Sequence, residues 1–111
     1  MHPPITDPLI ADALAASTPV KTIHFTELRD AINSIRLACG LTTFAWTDPM
    51  LVPGITPIKA IHLTELRTAL NGAYLAVGRT RPTYTDPTVP AGLIIKAIHL
   101  SELRSSVRAL Q

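Results

Sequence analysis

Three histidines, His24, His62 and His99, stand 38 and 37 residues apart, and each is followed three residues later by Glu27, Glu65 or Glu102. Five residues after each histidine comes Arg29, Arg67 or Arg104, and upstream of each lies a Thr-Asp-Pro that holds Asp7, Asp48 or Asp86. Neutral imidazole is a good ligand for zinc and similar borderline metals. Were the three rings to converge, they would make a three-histidine site with a fourth position for water, and a glutamate could orient a ligand or take a proton. The competing reading gives each ring a structural duty, satisfying a buried backbone carbonyl or a connector carboxylate at the start of its own helix. That reading is preferred, because metal motifs usually gather their ligands within one or two elements, and a duplicated unit duplicates everything in it. The expectation is therefore of no catalytic residue, no metal and no cofactor, with these twelve side chains forming a repeated structural network.

The charges point the same way. Of eighteen charged residues, twelve fall in repeated columns, the nine aspartates, glutamates and arginines just named and Lys21, Lys59 and Lys96, an allocation that suits pairing within the molecule. Glu27 and Arg29 are two apart on one helix and face different sides, so their partners must lie on other segments. The arginines are expected to grip a connector carboxylate such as Asp48 or Asp86 with both nitrogens of the guanidinium.

Other chemistries find no footing. The chain has no Gly-x-Ser-x-Gly, no phosphate-cradling glycine loop and no His-Glu-x-x-His. A formal net charge of +2 without a basic run lacks the electrostatic footprint of a nucleic-acid binder. No stretch approaches the ~18 apolar residues of a membrane span. Cys39 is the single cysteine, so no disulfide forms within the chain, and Val77 in the matching position marks it as a small hydrophobe near a helix end.

The elements that carry these residues are repeats. Lys21-Thr-Ile-His-Phe-Thr-Glu-Leu-Arg29 returns as Lys59-Ala-Ile-His-Leu-Thr-Glu-Leu-Arg67 and as Lys96-Ala-Ile-His-Leu-Ser-Glu-Leu-Arg104. At 111 residues the chain suits one domain over 1–111, built from units of approximately 1–40, 41–78 and 79–111. The fold class expected is all-α: three tandem repeats, each a Thr-Asp-Pro turn, a Pro/Gly-rich connector and one long helix. With His24 at zero, Leu28, Ala31, Ile32, Ile35, Ala38 and Cys39 fall within about 120° of arc, a single apolar stripe, and Arg29 lies outside it. The regular helices should begin near Ile23, Ile61 and Ile98 after an extended approach through the lysines, and end at Gly40 and Gly78 as left-handed residues. Asp7, Asp48 and Asp86 should each cap a turn begun by the next proline, with a short helix over 8–16 in the first unit. Trp46 and Tyr84 should anchor their connectors on the helices. Gly72, in mid-helix, implies the close approach of another backbone. The connectors are long enough to return along a helix, which would let the helices run parallel.

The Ile-Lys-Ala-Ile-His-Leu-Thr-Glu-Leu-Arg stretch with its upstream Thr-Asp-Pro resembles the tandem His-x-x-Glu-Leu-Arg repeats of bacterial secreted or surface-attached multidomain proteins. The resemblance covers nearly the whole chain and implies architecture and an extracellular or cell-surface location, not a chemistry. A fainter similarity is to the loop-to-helix passage of dockerin modules. There the calcium positions upstream of His62 would be Leu51, Pro53 and Ile55, which carry no carboxylate, so calcium binding by that route is excluded. Hydrophobic residues make up 47% of the chain and charged ones 16%, leaving apolar surface to meet a partner. The expected function is a non-catalytic structural or protein-interaction module, self-associating or bound to another protein, in a larger extracellular bacterial assembly, with no nucleic acid and no membrane span. A metal-binding helical bundle using His24, His62 and His99 is the alternative.

Overall fold

Among the described residues each repeat contributes one helix: α1 over Thr22–Ala38, α2 over Ala60–Ala76 and α3 over Ala97–Leu110. The computed structural model describes residues 21–111. Thr6-Asp7-Pro8 and the short helix expected over 8–16 lie outside the described residues. All three helices start within one residue of the expected place, because the start is set locally. Lys21, Lys59 and Lys96 are extended N-cap residues, with φ between −116° and −107°. The histidine three residues on turns its Nδ1 back to accept the lysine backbone N–H at 2.9 Å in every unit. This is the reach-back that glutamate or glutamine supplies in a capping box, here made by imidazole.

The helix ends are equally local. Gly40 and Gly78 have φ of 84° and 73°, a region that costs a side-chain-bearing residue about 1–2 kcal/mol. The left-handed turn brings the Gly40 N–H to the Leu37 carbonyl and the Leu41 N–H to the Arg36 carbonyl, and Gly78 and Arg79 repeat the pair on Leu75 and Tyr74. Both are Schellman closures, which satisfy carbonyls the helix would otherwise leave open.

The apolar faces of the helices meet in one core that includes Phe25, Leu28, Ile32, Leu63, Leu66, Leu70, Leu100, Leu103 and Val107, all fully buried. Burying each such side chain contributes about 1.5–3 kcal/mol. Every helix touches the other two, so the described residues form a closed all-α bundle instead of an open row. The stripe on α1 holds for Leu28, Ala31, Ile32 and Ile35, while Ala38 is exposed and Cys39, the C-cap, is half-buried against the core. Arg29 departs from the wheel: it is buried although it lies outside the stripe. A returning connector covers it, and a wheel considers only what a helix does.

The order of contacts along the helices fixes their direction. The connector turn at Thr47 and Asp48 joins Arg29 of α1 to His62 and Glu65 of α2, and further on Arg36 donates to the Ala69 carbonyl at 2.9 Å. Early residues meet early residues and late ones late, so α1 and α2 run the same way. The Tyr74 hydroxyl on the Ser106 carbonyl and Arg67 on the turn before His99 make α3 follow suit. Gly72 also finds its reason here, though not the expected one. The group beside it is the Arg36 guanidinium, and a Cβ at Gly72 would stand 2.8 Å from Arg36 Nη1. A charged side chain crossing to the next helix, not a second backbone, requires the missing methyl.

Candidate functional site

Among the described residues, repeated polar side chains assemble on the two Thr-Asp-Pro turns at Asp48 and Asp86. Asp48 and Asp86 both have φ of 53°, a left-handed conformation that aspartate tolerates better than most residues. This twist sends the backbone carbonyl of the residue one way and its carboxylate the other. Toward the preceding helix, Arg29 donates from Nη1 to the Asp48 carbonyl at 2.8 Å and from Nη2 to the Thr47 carbonyl at 2.9 Å. Arg67 holds the Asp86 and Thr85 carbonyls in the same way at 2.7 and 2.6 Å. The expected grip of arginine on a connector carboxylate is thereby corrected: the fork holds two successive backbone carbonyls. Its planar donors match them as they would match a carboxylate's two oxygens.

Toward the following helix, Asp48 Oδ2 lies 2.9 Å from His62 Nε2, and Asp86 Oδ2 lies 2.8 Å from His99 Nε2. The carboxylate therefore does not cap its own turn, as sequence reasoning expected, but reaches a buried imidazole. Since Nδ1 of each ring accepts a backbone N–H, the ring carries its proton on Nε2 and donates it to the aspartate. The aspartate also places negative charge beside the first turn of α2 or α3, where the helix dipole favours it. The glutamates complete the hold. Glu65 accepts the Thr47 N–H through both oxygens, at 3.1 and 3.0 Å, and the Thr47 hydroxyl at 2.8 Å. Glu102 does the same for Thr85, with the hydroxyl at 2.6 Å. The threonine of Thr-Asp-Pro is thus a functional member of the set that sequence reasoning passed over. Its signal was present in the recurrence of threonine before every Asp-Pro.

Aromatic residues close the arrangement. The Arg29 guanidinium lies 5.1 Å from the Trp46 ring centroid and that of Arg67 lies 4.7 Å from Tyr84, each within cation–π reach. Trp46 and Tyr84 are also packed against the core, as connector anchors should be. Burial lowers the pKa of both guanidinium groups, opposed for Arg29 by Glu65 and then Asp48, and for Arg67 by Glu102, Tyr84 and Asp86. The same burial pushes the Tyr84 hydroxyl up to about 12, with Arg67 pulling the other way.

His24, His62 and His99 are each fully buried. Among the described residues no three histidine, cysteine, aspartate or glutamate side chains come together as a group able to hold a metal ion. His62 and His99 use both ring nitrogens in hydrogen bonds to the protein. Among those residues, too, no helix is long and apolar enough to cross a membrane. What the arrangement does chemically is bond one segment to two others: each of the two described turns is held by a cation from the helix before it and by an imidazole and a carboxylate from the helix after it. No protein-family model, curated protein or solved structure matches the chain.

Proposed function

We propose that the chain is a non-catalytic structural module that presents apolar surface to a protein partner, in the first instance to further copies of itself, in an extracellular bacterial assembly. The observation that carries this reading is the use made of the repeated polar side chains. In the two connectors described, arginine, histidine, glutamate and threonine are committed to joining the turn to its two helices. Such a network keeps a scaffold rigid. The surface that would meet a partner repeats as well. Ile23, Ile61 and Ile98 occupy one column of the repeat and are 46%, 44% and 47% exposed. Because the helices run the same way, these isoleucines lie at one end of the bundle. Beside Ile61 an open groove of about 520 Å³ is lined by Ala60, Val89, Ala91 and Gly92 among others. Leu37, Leu75 and Val77, near the other helix ends, are 58%, 61% and 45% exposed. Apolar side chains left at both ends of a rigid body favour association.

Sedimentation equilibrium over a wide concentration range tests the reading. The wild-type chain is expected to associate as concentration rises. Replacing Ile61 and Ile98 by serine should weaken that association while leaving the melting temperature within a few degrees. A chain that stays monomeric at every concentration, up to the millimolar range, would remove the support for self-association.

A further inference from the structure

The two described connectors share a turn but send its apolar residue in opposite directions. In each, a glycine six residues after the aspartate has positive φ, 76° at Gly54 and 89° at Gly92. The next residue donates its N–H across the turn, Ile55 to the Val52 carbonyl at 3.0 Å and Leu93 to the Pro90 carbonyl at 3.1 Å. Pro53-Gly54 and Ala91-Gly92 are thus the central pairs of type II turns, in which the second residue takes positive φ. From there Leu93 packs against the core, while Ile55 is 77% exposed. One extra residue is the cause. Leu93 and Ile95 are two apart and both pack inward, with Ile94 between them 76% exposed, as alternation along an extended chain requires. Ile58, which like Ile95 directly precedes the N-cap lysine, also packs against the core, but Ile55 stands three residues before it and so turns outward. The added Thr56 is braced in place. Its N–H donates to the Val52 carbonyl at 2.9 Å and its hydroxyl accepts the Val52 N–H at 3.0 Å, which fixes the turn that carries Ile55.

A place for this side chain lies close by. The turn of the second connector borders the start of α2, and Ala60, Ile61, Val89, Ala91 and Gly92 line the open groove of about 520 Å³ between them, with Lys59 at its edge. Ile55 stands five residues before Ala60, so the two are at most about 18 Å apart. Its exposure means that it does not fill the groove of its own molecule. We infer that the self-association proposed above, on which this inference rests, takes the form of a two-fold dimer in which Ile55 of each copy enters the groove beside Ile61 of the other. The tip Pro53-Gly54-Ile55-Thr56-Pro57 carries no charge, so covering it strips water from no ion while burying an exposed isoleucine. Because the protruding residue and the groove are near neighbours on one copy, a single two-fold axis forms both contacts at once. A closed pair results, not a growing chain.

Sedimentation equilibrium of the full 111-residue chain, of Ile55→Ser, of Ala91→Arg and of an equimolar mixture of the two variants tests the pairing. Wild type is expected to reach a dimer and stop there. Both altered residues are exposed, so each variant should melt within a few degrees of wild type by circular dichroism. Each removes both contacts from its own dimer and should raise the dissociation constant more than about tenfold. The mixture keeps one contact, Ile55 of the Ala91→Arg chain in the open groove of the Ile55→Ser chain, and should associate more tightly than either variant alone. A wild type that associates no better than Ile55→Ser, both being dimeric, would overturn the inference and leave self-association standing through another surface. Assembly that grows past two copies, or a mixture no tighter than its components, would overturn the reciprocal pairing. A wild type that is monomeric at every concentration would remove both this inference and the reading it rests on.

Discussion

One imidazole both starts a helix and fastens a connector to it. His62 takes the Lys59 N–H at Nδ1, which starts its helix, and gives its Nε2 proton to Asp48, which fastens the connector that Arg29 holds from the other side. A glutamine could supply the first bond and a lysine the last, but neither supplies both from a buried position. Tyr84 shows how burial at this site becomes measurable. Its hydroxyl donates to Asn71 Oδ1 at 3.0 Å, and desolvation raises its pKa from 10.0 to about 12. Between those values the folded state keeps a proton that the unfolded chain has released, so each rise in pH favours unfolding. The contribution is whole below pH 10 and is lost as pH climbs through 12. Urea midpoints of wild type and Tyr84→Phe, compared from pH 9 upward, should therefore converge as the pH passes 10. A difference that stays constant across that range would contradict the assigned environment. The histidines, glutamates and arginines of this site were legible in sequence as a recurring set. Their partners were less so, because the arginines bond backbone carbonyls, which every residue has, and the threonines bond a glutamate 17 or 18 residues away.

At the scale of the element, beginnings and ends are governed by neighbours within five residues, and these were readable. The glycines at 40 and 78 close their helices because only a left-handed residue lets the next two N–H groups fold back on the last turn. What lies on a helix flank was harder to read, since connectors, not helices, cover Arg29 and Arg67. Gly72 is the instructive case. Alanine in its place should stabilise an exposed helix interior by about 1 kcal/mol. Here the added methyl displaces the Arg36 guanidinium from the Ala69 carbonyl, a charge-assisted hydrogen bond whose loss costs about 1.5–3 kcal/mol. Gly72→Ala is thus expected to give no gain, or a loss of up to about 2 kcal/mol, in urea denaturation. In an Arg36→Ala background the same change should stabilise by about 1 kcal/mol. Equal effects in the two backgrounds would mean that the guanidinium does not set the requirement for glycine.

At the scale of the whole molecule, the described residues share one core, with every helix in contact with the other two. A set of repeats that shared only neighbours would melt in pieces, whereas helices that each touch both others should melt together. Closure of this kind follows from parallel helices with connectors long enough to return outside them, which the lengths allowed but did not require. The decisive choice came from how the turns are held. The most direct test perturbs one seam and observes another. Arg67→Lys removes the planar fork from the second connector, leaving at most one of the Thr85 and Asp86 carbonyls bonded, and should cost about 1–2 kcal/mol. Trp46, the single tryptophan, sits on Arg29 in the first connector. Thermal unfolding of Arg67→Lys, followed by Trp46 fluorescence and by helical circular dichroism, should show both transitions lowered by the same several degrees and superimposed. A Trp46 transition left at the wild-type temperature while helix signal is lost earlier would contradict the account.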